Sequence, residues 1–137
     1  MNDLAVPFKI KNLYEGLAES DGLISFSNGI LKIQFQIKDS IIGFVKGKIN
    51  EYEIPTQKIQ KIELIKKLWG NKLIISINDL QFQLNIPNQD SSEISLSIEK
   101  KNLDLADRLV ANVNYEISTQ SEQNEFEQEL RQDDSNK

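Results

Sequence analysis

The chain contains no cysteine and no histidine. Without cysteine there is no disulfide framework, no thiolate metal site and no thiol nucleophile. Without histidine the chain lacks the usual general base near neutral pH and the commonest metal ligand, and a Ser-His-Asp triad cannot be assembled. Catalysis would fall to lysine, tyrosine or carboxylates, so the expectation is a non-enzyme with no cofactor and no metal. Arginine is nearly absent, with only Arg108 and Arg131. The guanidinium fork is the preferred reader of phosphates and bases, and the net charge is −5. Nucleic acid is therefore not an expected partner. No apolar run approaches the roughly 20 residues of a spanning helix, and the N-terminal stretch has no signal-like core. The expected location is the cytoplasm.

What is present suits one domain. The 137 residues are 39% hydrophobic and 27% charged, enough for a core without covalent staples. The charge is uneven. From Ser118 onward Glu122, Glu125, Glu127, Glu129, Asp133 and Asp134 face only Arg131 and Lys137, a net −4, while the rest is close to neutral. This Gln-, Ser- and Asn-rich stretch reads as a disordered or weakly helical tail.

Between residues 21 and 100 the hydrophobic period is two, the mark of strands with one dry face. Ile24 and Phe26 precede Asn28-Gly29, a hairpin signal because both residues tolerate positive φ. Leu31, Ile33, Phe35 and Ile37 alternate with Lys32, Gln34, Gln36 and Lys38. Further strands are expected over 48–54, ended by Pro55, and over 59–67. Gly70-Asn71 turns the chain into a strand at 73–77, and two more follow at 82–86 and 94–98. From Asn102 the period becomes helical, with Leu103, Ala106, Leu109, Val110, Val113 and Ile117 on one stripe. Asn102 is a suitable N-cap. The fold class is mostly β, a seven-stranded antiparallel barrel or sandwich capped by one C-terminal helix. Residues 1–20 read as an N-terminal segment packed on the domain, 21–117 as the domain, and 118–137 as the acidic disordered tail.

Seven short strands and one amphipathic helix give an order that resembles the pleckstrin-homology (PH) domain, and in particular small bacterial PH-like proteins. The resemblance runs through Asp21-Gly22-Leu23-Ile24, Gly29-Ile30-Leu31, Glu53-Ile54-Pro55, Ile59 and Ile62-Glu63-Leu64. It continues through Leu68-Trp69-Gly70, Leu73 and Ile94-Ser95-Leu96 to the helix of Ala106 and Leu109. It implies a barrel that binds phosphoinositides or protein segments. Lipid-binding members carry cations around the first hairpin, where this chain has none until Lys32, and a tryptophan in the closing helix, where this chain has none. The resemblance therefore bears on fold more than on ligand.

Several features invite a functional reading beside a plainer one. Between Lys46 and Lys72, seven lysines (46, 48, 58, 61, 66, 67 and 72) face Glu51, Glu53 and Glu63, a local excess of four positive charges. This is either a cationic patch for anionic lipid or acidic peptide, or, as expected, solvated strand faces that deter edge aggregation. Trp69 stands at a hairpin tip with Lys66, Lys67 and Lys72 around it. It either anchors a partner or a lipid interface, or, as expected for a lone tryptophan, folds back over the barrel mouth. Ile41 to Val45, with Phe44, is either a partner-contacting lid or, as expected, a plug over an open barrel end. Glu51, Glu53 and Glu63 are expected to be solvated rather than an acid–base pair. Phe126 and Leu130 lie one helical turn apart in the acidic tail, either a segment that folds on a partner or on the chain's own lysine patch or, as expected, a solubilising terminus. The expected function is a non-catalytic binding module with an unknown protein partner. A peripheral module for anionic membranes is the alternative, with Lys66, Lys67, Trp69, Lys72 and Phe44 as candidate contacts. Homo-oligomerisation through an edge strand stays open.

Overall fold

The computed structural model describes residues 4–13, 18–39, 45–78 and 92–135. They form seven antiparallel strands in one sheet and a single long helix: β1 (Leu4–Leu13), β2 (Ala18–Ser27), β3 (Ile30–Asp39), β4 (Val45–Pro55), β5 (Ile59–Lys67), β6 (Gly70–Ile77), β7 (Glu93–Ile98) and α1 (Leu103–Ser135). The strand order is β4-β3-β2-β1-β7-β6-β5. β4 and β5, consecutive in sequence, are the two edges, and among the described residues no pairing joins them. The sheet is thus an open, sandwich-like assembly rather than a closed barrel. The reason lies at the β4 exit. Pro55 has no N–H to donate, and the chain passes through a 3-10 turn at Thr56–Lys58 instead of a hairpin.

Two expectations need correction. The N-terminal stretch is not laid over the domain: Leu4–Leu13 is β1, a central strand between β2 and β7. The sequence pattern conceals this strand because Pro7 removes a ladder donor and Asn12 breaks the alternation. The seventh strand is thereby β1, and the strand expected at 82–86 lies outside the described residues. The second correction is the tail. α1 does not end at Ile117 but runs unbroken to Ser135. No glycine or proline interrupts this stretch, and its Gln and Glu are strong helix formers.

Alternation puts one face of each strand inside. Val6, Phe8 and Ile10 from β1, Leu31, Ile33 and Phe35 from β3, and Leu73, Ile75 and Ile77 from β6 are all buried in one core. α1 closes that core with Ala106, Leu109 and Val113, all fully buried at helical spacing. The Ser20 hydroxyl, buried on β2, donates to the Gln36 carbonyl at 2.8 Å and so costs little. The expected hairpin at Asn28-Gly29 is present, with φ of 53° and 74°.

Gly22 fixes the middle of the sheet. It lies opposite Phe8 on one side and Phe35 on the other. A Cβ here would collide with the Phe8 ring and with the Gln34 carbonyl of the next strand. The missing side chain is the space that the ring fills. Gly22→Ala is expected to lower unfolding stability by about 1–3 kcal/mol, the usual cost of overpacking, read as an earlier urea midpoint at unchanged slope. Unaltered stability would mean that the Phe8 ring has another place to go.

Candidate functional site at the β5–β6 hairpin

β5 and β6 are joined by two residues, Leu68 and Trp69. Neither folds back. Leu68 is 89% exposed and Trp69 94%, which overturns the expectation of an indole capping the barrel mouth. With Lys67 opposite Gly70 as the last register pair, both turn side chains lie beyond the end of the ladder, and no length of loop remains to return them. Gly70 follows at φ 141°, a backbone conformation that side chains disfavour.

The lysines divide by their partners. Lys66 Nζ lies 2.9 Å from Asp107 Oδ2, tying the end of β5 to the first turns of α1. Lys61 lies 3.4 Å from Glu63. Lys67 and Lys72 are exposed and make no ion pair among the described residues. Lys46 and Lys48 belong to β4, the opposite edge in the strand order. The run that looks like one patch in sequence is thus spread over several elements and partly neutralised. Glu51 and Glu53 are exposed, and Glu51 pairs with Lys32 at 3.2 Å. Phe44 and its apolar neighbours lie outside the described residues.

A different set of cations assembles beside the tip. Along one line across the outer face, Lys72 of β6 is opposite Ser97 of β7, Ser97 is opposite Lys9 of β1, and Lys9 is opposite Asp21 of β2. The β1–β7 pairing consists of the single register pair Lys9–Ser97. Where it stops, the outer face opens into a cleft of about 360 Å³ lined by Lys9, Lys11, Lys72, Ser95, Ser97 and Trp69. Glu99 also lines it and lies 3.6 Å from Lys9, which is 3.8 Å from Asp21. These exposed pairs are each worth about 0–1 kcal/mol and are readily exchanged for another anion. Ammonium and hydroxyl donors around one concavity suit an oxyanion. Sequence reasoning missed Lys9 and Lys11 because nothing local joins them to Lys72; only the strand order does.

α1 carries the opposite charge away from this site. Its start is held at the hairpin end by Lys66–Asp107. Glu116 and Gln120 approach the Asn28–Gly29 turn, roughly 14 to 20 Å further along the axis at 1.5 Å per residue. Residues 121–131 are exposed on every side. Among the described residues no helix is long and apolar enough to cross a membrane. Comparisons with family models, with curated proteins and with solved structures find no match to this chain.

Trp69 is the only tryptophan, so intrinsic fluorescence reports this tip alone. The free protein is expected to emit like an indole in water and to be quenched by iodide nearly as efficiently as free tryptophan. Blue-shifted, shielded emission would contradict the exposed tip.

Proposed function

We propose that the chain is a non-catalytic, peripheral module that docks on anionic membranes through the β5–β6 hairpin. One observation carries this reading: two large apolar side chains stand exposed side by side in sequence at a two-residue hairpin tip flanked by Lys67 and Lys72. A flat protein interface surrounds its anchors with further contact area. An isolated protrusion suits a deformable medium that closes around it, and tryptophan favours the interfacial depth where an apolar ring meets water. The cleft of Lys9, Lys11 and Lys72 adjoins the tip, where lipid phosphates would lie. The pleckstrin-homology resemblance belongs to this reading, since seven antiparallel strands followed by one helix is the order it implies.

The magnitudes describe a weak, reversible contact. Each lysine near an anionic surface contributes about 1 kcal/mol, and burying a leucine-sized side chain about 1.5–3 kcal/mol. Three lysines and a partly inserted tip give roughly 5 kcal/mol, a dissociation constant on the order of 0.1 mM. Stable residence would need a second attachment.

The test is co-sedimentation with vesicles of phosphatidylserine and phosphatidylcholine, and with phosphatidylcholine alone, at two ionic strengths. The protein is expected to bind only the anionic vesicles, less at higher salt, with a blue shift of Trp69. Leu68→Ala with Trp69→Ala, and separately Lys67→Glu with Lys72→Glu, are each expected to lower partitioning at least tenfold. Lys66→Ala should matter less, since that ammonium already has Asp107. Absence of binding to anionic vesicles at low salt would retire the lipid reading.

A further inference from the structure

The part of α1 beyond Gln120 is built of good helix formers, yet its charges are placed where they oppose a free helix. It extends 15 residues past the half-buried Gln120, roughly 22 Å at the helical rise. Residues 121–135 hold six acids and Arg131, a net −5 equal to that of the whole chain, so the remaining residues balance to zero. Glu125 and Glu129 are like charges one turn apart, which oppose helix formation. Acids also crowd the negative end of the helix macrodipole, and the last turn has no basic residue.

This protruding half continues an exposed face. Tyr115 and Phe126 are eleven residues apart, so they point within about 20° of each other, and Leu130 follows Phe126 by one turn. Tyr115 and Phe126 are turned away from the stripe of Ala106, Leu109 and Val113 that packs on the sheet, and Leu130 lies on its flank, about 60° from the bearing of Leu109 but beyond the domain. The three are 74%, 63% and 50% exposed. Glu122 and Glu129 lie within about 60° of Phe126, on the side away from Leu130, whereas Arg131 lies about 140° from Phe126.

We infer that this Tyr115–Phe126–Leu130 face is the docking arm for a cationic, amphipathic helical segment of another protein. Apolar side chains of the partner would cover Phe126 and Leu130, and its lysines or arginines would meet Glu122 and Glu129. The partner's charge would also relieve the repulsion along the arm. A second copy fits poorly, because each arm brings −5 and would set Glu122 and Glu129 against like charges in the seam. The arm is independent of the lipid reading, since it leaves the domain at the end remote from Trp69.

The experiment uses the full chain and two fluorescent peptides of equal charge. One is a leucine–lysine heptad helix; the other is a lysine–glycine chain with no apolar residue. Fluorescence anisotropy is expected to show the heptad peptide binding at least tenfold more tightly. Phe126→Ala with Leu130→Ala, and separately Glu122→Gln with Glu129→Gln, are each expected to weaken it at least tenfold. Both pairs are exposed, so urea midpoints should not move. Leu68→Ala with Trp69→Ala should leave peptide binding unchanged, and the arm variants should leave vesicle binding unchanged, so either reading can fail alone. Equal binding of the two peptides, or indifference to the Phe126/Leu130 variant, would reduce the arm to unspecific charge and overturn the inference. Concentration-dependent self-association in sedimentation velocity, abolished by that variant, would assign the face to a second copy and overturn it as well.

Discussion

A single register pair, Lys9 opposite Ser97, joins the four strands β4-β3-β2-β1 to the three strands β7-β6-β5. The rest of the molecule follows from how little that joint holds. A full ladder would continue one twisted sheet across the seam. One pair lets the two halves part while their inner faces share one core. Beside this joint the outer face holds the cleft lined by Lys9, Lys11 and Lys72. α1 then lies across β5, β1 and β2, elements from both halves, and binds them together through Ala106, Leu109 and Val113.

The interior of the fold was legible because burial writes a period into the sequence. Leu31 to Ile37 and Ile94 to Ile98 alternate without a break, and β5 runs from Ile59 to Lys67 as the pattern indicates. β1 was not legible for a physical reason. A proline in a central strand normally forfeits a bond on a crowded ladder, and nothing in residues 4–13 reveals that the ladder to β7 is one pair long. Gly70-Asn71 carries the turn signal in the sequence, yet the turn itself is Leu68–Trp69, two residues earlier. Gly70 does supply the unusual φ, but as the first residue of β6.

The candidate site was half legible. Lysines 66, 67 and 72 and Trp69 were visible as a local cluster, and the general tendency of tryptophan to be buried pointed the wrong way for the one that matters. Burial statistics describe side chains with a core within reach. In a two-residue turn the geometry decides, since the strands on both sides are committed to their register. Lys9 and Lys11 reach the site through two strand pairings, β6 with β7 and β7 with β1, and no local pattern encodes such a path.

Charge is arranged along the molecule rather than around it. The domain is neutral in sum while the far half of α1 carries the whole net charge. Near 0.15 M salt the Debye length is about 8 Å, well short of the roughly 20 Å between Asp107 and the start of the arm. The acids therefore do not cancel the lysines at the hairpin, and the tip meets its surroundings as a locally cationic, apolar point. Toward a negative surface the same arrangement exerts a torque. With the arm repelled and the hairpin attracted, an encounter of the proposed kind would bring Trp69 down and turn the arm outward. A helix of about 50 Å, from 33 residues at the usual rise, then stands clear of the surface with its Phe126 and Leu130 face accessible. Placing the net negative charge on one end would thus give orientation at the cost of helix stability in isolation, and a cationic partner on the arm would recover that stability.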